Sequence, residues 1–360
     1  MSLVKINSVR ISLEANSNLM AIDVFKESWK NKEKTISATL LNNLRNIGAF
    51  ESIGSSNRIE GNTLSDKEVE ELLQGLKTES FRSRDEEEVV GYSEVLDTIY
   101  NNFESIQLSE NYIKQLHGIL LRYTGKDERH RGEYKKLENS VAAFDNTGKE
   151  IGIVFKTASP FDTPLLMKQL VDETNELFDS KLYPPLIIIA LFIVHFLAIH
   201  PFQDGNGRLS RLLTNFLLIK YGYSYIQYYS LEKLIEESKS SYYRALRKTQ
   251  ITFQTDDYDY SPWLDYFSMI LKKQTVNLEK KIAAYEGNDA LSPDEERILL
   301  SIRNSFKGLQ YGAIKRECPD LGDNTIRRIL RKLSSLNLIE KHGTGKGMWY
   351  GPNLRYERNI

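Results

Sequence analysis

Residues 200–211 read HPFQDGNGRLSR, directly after the apolar run LIIIALFIVHFLAI at 186–199. A bilayer crossing needs about 20 apolar residues, so a run of 14 predicts a buried core helix. The Gly205-Asn206-Gly207 turn then joins it to a second helix, RLSRLLTNFLLIKYG. Glycine permits left-handed backbone and the close approach of another molecule. The free N–H groups and the dipole at the start of the second helix make an anion site. Arg208 and Arg211, three residues apart, share a face of its first turns. Two cations at a helix N-terminus oppose the dipole, a cost that makes sense if an anion of several charges binds between them.

The rest of the stretch adds chemistry. Asp204 is its one carboxylate. A single carboxylate beside a phosphate site suits magnesium, which takes one or two carboxylates plus phosphate oxygens and water. His200 closes the apolar helix, and an imidazole suits a general base near neutral pH. A base, a metal carboxylate, an anion-binding turn and two arginines fit transfer of a phosphate-containing group to a hydroxyl.

HPFQDGNGRLSR resembles the signature of the Fic family, HPFx(D/E)GNGRxxR, and matches it at every fixed position: His200, Pro201, Phe202, Asp204, Gly205, Asn206, Gly207, Arg208 and Arg211. The resemblance extends over about residues 50–250 and takes in LHGILL, RGEYKK and DTPLLMKQL. It implies a mainly helical fold and transfer of AMP from ATP, with magnesium, to a Ser, Thr or Tyr hydroxyl of a protein. By position, His200 takes the hydroxyl proton and Asp204 holds magnesium. Gly205, Asn206 and Gly207 form the anion hole, with Asn206 near the α-phosphate. Arg208 and Arg211 hold the β- and γ-phosphates. The related Doc branch lacks the full GNG pattern and acts as a kinase, so Gly205 and Gly207 favour AMP transfer. UMP and phosphocholine stay open as alternative groups. The helix holding Tyr242 and Tyr243 is expected to supply part of the base pocket, although either tyrosine equally suits core packing.

A second stretch, SSNRIEGN at 55–62, bears on control. Ser55 and Ser56 suit the opening of a short helix and Gly61 its close. Ser56 and Glu60, four apart, share its face. A carboxylate in a last helical turn faces the negative end of the dipole, so a cation is expected to meet Glu60, although solvent alone also suits it. The stretch resembles the inhibitory motif of regulated Fic proteins, (S/T)xxxE(G/N). That resemblance implies a pair between Glu60 and Arg211 that removes the γ-phosphate clamp, so the chain inhibits itself.

Elsewhere the pattern is mostly helical, with WKNKEKT as a charged segment near the start. Ser65 with Glu68 reads as a capping box, and 86–125 as two amphipathic helices. SVAAF and EIGIVFKT, separated by DNTG, predict a β-hairpin over 139–157. A hairpin edge pairs with an extended segment of another chain, and the resemblance makes this one a flap that registers the target hydroxyl. Thr163 is expected to cap the next helix, and two helices to fill 229–248 and 261–285. EGNDALS at 286–292 reads as a linker. Beyond it, three helices and two short strands around a Gly-rich tip suggest a winged helix-turn-helix. The expected domains are 1–105, helical with the inhibitory motif; 106–285, catalytic; and 290–360, winged helix.

The 360 residues carry a formal net charge of -1, so any nucleic-acid signal is local. From 290 to 360 there are 13 Lys/Arg against 8 Asp/Glu. This leaves DNA contact through that segment, or protein docking, open. The rival to a transferase is a DNA-binding regulator that uses the Fic fold as a nucleotide sensor. One cysteine, Cys318, and no apolar leader core point to a cytoplasmic protein. Expected partners are a target protein, the chain itself as a target, and no membrane. A homodimer is left open.

Overall fold

A computed structural model describes residues 3–75, 81–125, 129–144, 150–255, 257–287, 291–305, 308–335, 338–343 and 347–352. The chain divides into two compact units, residues 1–36 with 41–275, and residues 37–40 with 276–360. It is mainly α-helical.

Helices occupy α1 Leu13–Thr35, α2 Ala38–Ile59, α3 Asp66–Gln74, α4 Arg84–Asn102 and α5 Glu110–Leu120. Strands β1 Ser140–Phe144 and β2 Glu150–Lys156 follow. Then come α6 Thr163–Ser180, α7 Pro185–Ile199, α8 Asn206–Lys220, α9 Leu231–Glu237, α10 Lys239–Gln250 and α11 Ser261–Gly287. The apolar run is α7, with Pro185 at its first position, where the missing N–H costs nothing. Leu186 through Ile199 are all buried. α6, α8 and α10 pack around it, and α4 and α5 pack on α8. No helix among the described residues is long and apolar enough to cross a membrane.

Serine caps punctuate the chain. Ser12, Ser83, Ser109 and Ser230 each accept from a backbone N–H of a first turn. Ser65 and Glu68 form the expected capping box. β1 and β2 pair antiparallel from Ser140↔Lys156 to Phe144↔Glu150, with irregularities at Val141/Ala142 and Ala143/Phe144. The DNTG turn lies outside the described residues.

Several local expectations fail. Ser55 and Ser56 do not open a short helix, because they lie in the last turns of the 22-residue α2. Thr163 does not cap α6. It is the first helical residue, and its hydroxyl donates back to Ser159 O at 2.7 Å. The segment 229–248 forms two helices, α9 and α10, because Ser238 turns its backbone out of the helical range at φ -116, ψ 26. The charged segment WKNKEKT forms the last turns of α1, in keeping with the helical pattern of this region.

The second unit contains α12 Pro293–Arg303, β3 Leu309–Gln310, α13 Tyr311–Glu317, α14 Asp323–Ser335, β4 Ile339–His342 and β5 Trp349–Pro352. The strands form one antiparallel sheet in the order β3-β5-β4. Its own core includes Ile298, Ile302, Ile314, Cys318, Ile326, Ile329 and Leu333. Residues 344–346 of the Gly-rich tip lie outside the described residues.

Candidate active site

The chain leaves α7 at His200 with φ 54 and ψ 61, and enters α8 after Gly205 at φ 79 and ψ 0. Both are left-handed conformations. Glycine takes them freely, whereas a histidine must be held there. The six residues between α7 and α8 are tied to the start of α8. Asn206 Oδ1 accepts from Phe202 N–H at 2.9 Å, and Asn206 Nδ2 donates to Phe202 O at 2.7 Å. The Asn206 amide is therefore spent on the loop, and what it offers an anion is its backbone N–H. The first bond of the new helix runs from Leu209 N–H to Gly205 O at 2.9 Å. The N–H groups of residues 206–208 precede it and have no helical acceptor.

A second histidine holds the loop from outside. His117 Nδ1 accepts from Gly132 N–H at 3.0 Å, so Nε2 carries the proton and donates to Asp204 O at 3.0 Å. Its ring stacks on Phe202 at 3.8 Å. Burial pushes the imidazole down to about 4, so it stays neutral. Sequence reasoning assigned His117 no role. The signal was its place on the apolar face of α5, with Ile113, Leu116 and Leu120.

His200 is the candidate base. Its Nδ1 lies 3.4 Å from Leu197 O. A proton on Nδ1 leaves the Nε2 lone pair for a substrate. Burial first, and the Lys135 ammonium second, push the imidazole down to about 4, against smaller upward pulls from Leu197 O, Glu60 and Asp204. At neutral pH it is an unprotonated acceptor.

Glu60 and Ser56 both meet Arg211. Arg211 Nη2 donates to Glu60 Oε1 at 2.8 Å and to Ser56 O at 2.9 Å, and Nε donates to Ser56 Oγ at 2.8 Å. The guanidinium is 3% exposed and the carboxylate 33%. Burial alone disfavours the Arg211 cation, but Glu60, with smaller help from Tyr242, Tyr243 and Tyr92, more than offsets this. Glu60 also lies over the anion-binding turn, since a Cβ on Gly207 would collide with its carboxylate. One side chain thus covers both the turn and the second arginine. The α2 end is anchored on both sides. Arg58 pairs with Glu236 at 2.7 Å and Asp66 at 2.8 Å, and Thr63 N–H donates to Asp85 at 2.8 Å.

Arg208 and Asp204 belong to a ring of four charges. Arg84 donates to Asp204 at 2.7 Å and to Glu88 at 2.8 Å, while Arg208 lies 3.1 Å from Glu88 and 3.4 Å from Asp204. Sequence reasoning missed Arg84 and Glu88, which come from α4. The buried Arg208 Nε has no hydrogen-bond acceptor among the described residues. Asp204 is 40% exposed, and no group of three or more His, Cys, Asp or Glu suited to a metal occurs among the described residues. A lone half-exposed carboxylate fits magnesium, which draws its other ligands from phosphate and water, and does not fit a metal caged by protein. Arg84 must release Asp204 for that.

Tyr242 is 3% exposed and packs against Trp263 and Tyr266, so it is a core residue. Tyr243 is half-buried beside it, and both lie in the field of Arg211 and Glu60.

The Fic/DOC family pattern matches residues 107–218. The chain is 30% identical over 200 residues to the protein adenylyltransferase Fic of Drosophila willistoni, covering 55% of this chain and 36% of that one. For the protein of the same name from Drosophila grimshawi the values are 31% over 198 residues, 52% and 38%. The chain thus spans well under half the length of these relatives. The fold is similar to that of a Fic family protein from Desulfovibrio desulfuricans, with TM-score 0.62, 20% identity and coverage of 96% and 97%. It is also similar to a Fic domain containing signaling protein from Bacteroides thetaiotaomicron, with TM-score 0.60, 28% identity and coverage of 76% and 99%. The loop that carries His200 through Arg211 falls inside the segment, residues 107–218, that matches the Fic/DOC family pattern.

Proposed function

We propose that this chain transfers AMP from ATP to a Ser, Thr or Tyr hydroxyl of a protein, itself included, and that Glu60 holds the reaction off. The observation that carries the reading is the Arg211 clamp on Ser56 and Glu60, set over the anion-binding turn and beside a neutral His200. The relatives that match are named protein adenylyltransferase.

The chemistry follows from the parts. The target oxygen attacks the α-phosphorus and its proton passes to His200 Nε2. The bond to the bridging oxygen breaks, and pyrophosphate leaves. The N–H groups at the start of α8 hold the oxygen charge on the transferred phosphate. Arg208 and Arg211 hold the leaving phosphates. A magnesium ion on Asp204 would add neutralisation of the phosphate charges. With Glu60 on Arg211, the γ-phosphate finds its clamp occupied and a carboxylate at the entrance of the turn. The neutral base at His200 speaks against a nucleotide sensor without turnover, which needs no base.

The test uses α-labelled ATP with magnesium on wild type, Glu60→Gly and His200→Ala. The expected result is strong self-labelling by Glu60→Gly, weak labelling by wild type and a loss of at least about a hundredfold in His200→Ala. Equal labelling by the first two would remove the brake. No labelling by any, with ATP bound, would remove the transferase.

A second reading concerns the smaller unit. Its helix–strand–helix–helix–strand–strand order suits a winged helix-turn-helix. Asn324, Arg327, Arg328 and Arg331 lie exposed along α14, and Arg328 and Arg331 have no acidic partner among the described residues. That stripe suits the phosphates of duplex DNA.

A further inference from the structure

Lys135 lies before the hairpin and is 3% exposed. No carboxylate among the described residues lies within ion-pair distance of it. Its Nζ donates to Asn139 Oδ1 at 2.8 Å, Thr157 Oγ1 at 3.0 Å and Ile199 O at 3.0 Å. All three ammonium protons are therefore used. Asn139 directly precedes β1 and Thr157 directly follows β2, so one ammonium ties the two feet of the hairpin to the last residue of α7. Its backbone N–H donates to Pro201 O at 2.8 Å. Asn139 Nδ2 completes the pattern, reaching Phe202 O at 2.9 Å and His200 O at 3.4 Å. Four consecutive carbonyls, those of residues 199 to 202, thus point at Lys135 and Asn139.

Burying a cation without a counter-charge is costly, and an apolar side chain of similar length would fill the space at less expense. Burial in fact pulls this ammonium down to about 8. What the ammonium gains is three neutral acceptors from three separate segments. A helix end that opens four carbonyls in a row, with a histidine in the left-handed region, needs such donors to stay in place.

We propose that Lys135 is a positioning residue, which with Asn139 fixes the hairpin relative to His200 and so registers a hydroxyl presented by the hairpin over the base. This rests on the transferase reading above. Of the nucleotide-binding groups only Asn206 touches the network, through Phe202 O, and its own two bonds to Phe202 do not depend on Lys135. Loss of Lys135 therefore lowers the rate of transfer and leaves the nucleotide in place.

The test places Lys135→Met, Lys135→Arg and Asn139→Ala in the Glu60→Gly chain, with Glu60→Gly/His200→Ala as the blank. Initial rates of labelling against ATP concentration give kcat and KM. Amide hydrogen exchange follows peptides over 129–144 and 196–206. The expected result for Lys135→Met is a kcat at least about tenfold lower, a KM for ATP within about twofold and faster exchange in both peptides. Lys135→Arg, which keeps a donor cation, recovers a third or more of the rate, and Asn139→Ala falls between. An unchanged kcat would overturn the proposal. So would a joint loss of kcat and ATP affinity that Lys135→Arg fails to rescue, since that marks a merely structural lysine. If Glu60→Gly itself transfers nothing, the transferase reading fails separately. Exchange then decides: faster exchange over 196–206 in Lys135→Met supports the tie, and unchanged exchange overturns it.

Discussion

His200 sits in a backbone conformation that costs a non-glycine residue on the order of 1 kcal/mol. Hydrogen bonds to its neighbours' carbonyls hold it there, so the cost is met by the fold and the ring is aimed before any substrate arrives. Its environment sets its charge as well. The charged groups facing it are Lys135, Glu60 and Asp204, and the net result is a value of about 4. Protonation destroys a base, so the proposed transfer is expected to be lost as pH falls through that value and not through the ordinary histidine value of 6.5. In the Glu60→Gly chain, labelling is expected to stay flat from pH 8 to about 5, with the acid limb lower still because Glu60 no longer pulls the value up. Initial rates across that range check it, and a half-maximum near 6.5 would refute it. At this scale the sequence was most readable where function is contiguous. His200, Asp204, Gly205, Gly207, Arg208 and Arg211 fall within twelve residues, and Glu60 announced its need for a cation through the helix dipole. Lys135, His117 and Arg84 could not be read, because each acts on atoms 60 to 120 residues away.

Among the elements, α2 was the one most misread and the one on which the proposed brake depends. Glycines at 48 and 54 interrupt its apolar pattern, and two serines at 55 and 56 look like a start signal. Packing overrode both, as it commonly does. The helix runs on through residues 52–57, every one of them buried, and Ser56 turns its hydroxyl to Arg211. The long helix gives Glu60 a rigid mount, fixed at its last turn by Arg58 on Glu236 and Asp66. A brake carried on such a mount weakens when the mount loosens. Arg58→Ala removes those pairs from a partly exposed site, with an expected loss of about 1–2 kcal/mol in global stability. Passing about 1 kcal/mol of that to the Glu60–Arg211 pose raises the open fraction about fivefold. Self-labelling by Arg58→Ala should therefore lie between wild type and Glu60→Gly. Labelling no higher than wild type, with the stability loss present, would show that the pair stands without its mount. By contrast α7, β1 and β2 were legible, since an unbroken apolar run and two strand-forming segments leave few alternatives.

Over the whole molecule, charge is uneven in a way the net value hides. The chain totals -1, yet 290–360 hold five more basic than acidic residues. Much of that excess stands exposed on α14, whose opposite face, Ile326, Ile329, Leu330 and Leu333, fills the core of the smaller unit. The sequence showed this amphipathic pattern, because a 3.6-residue period separates Arg327, Arg328 and Arg331 from the apolar positions. It could not show which arginines stay unpaired, since Lys315 and Lys332 are consumed by Asp323 and Glu295. If the exposed stripe meets duplex DNA, three arginines displace three counterions. The logarithm of affinity should then fall with the logarithm of salt at a slope of about -3. Fluorescence anisotropy of a labelled mixed-sequence duplex between 25 and 200 mM salt measures the slope. Changing Arg327, Arg328 and Arg331 together to alanine should abolish binding and leave labelling by Glu60→Gly untouched, because the transfer groups lie elsewhere in sequence and in the other unit. A triple variant that binds with an unchanged slope would assign the contact to another surface. Absence of binding at the lowest salt would leave α14 without a nucleic-acid role, and its arginines as a solvated face.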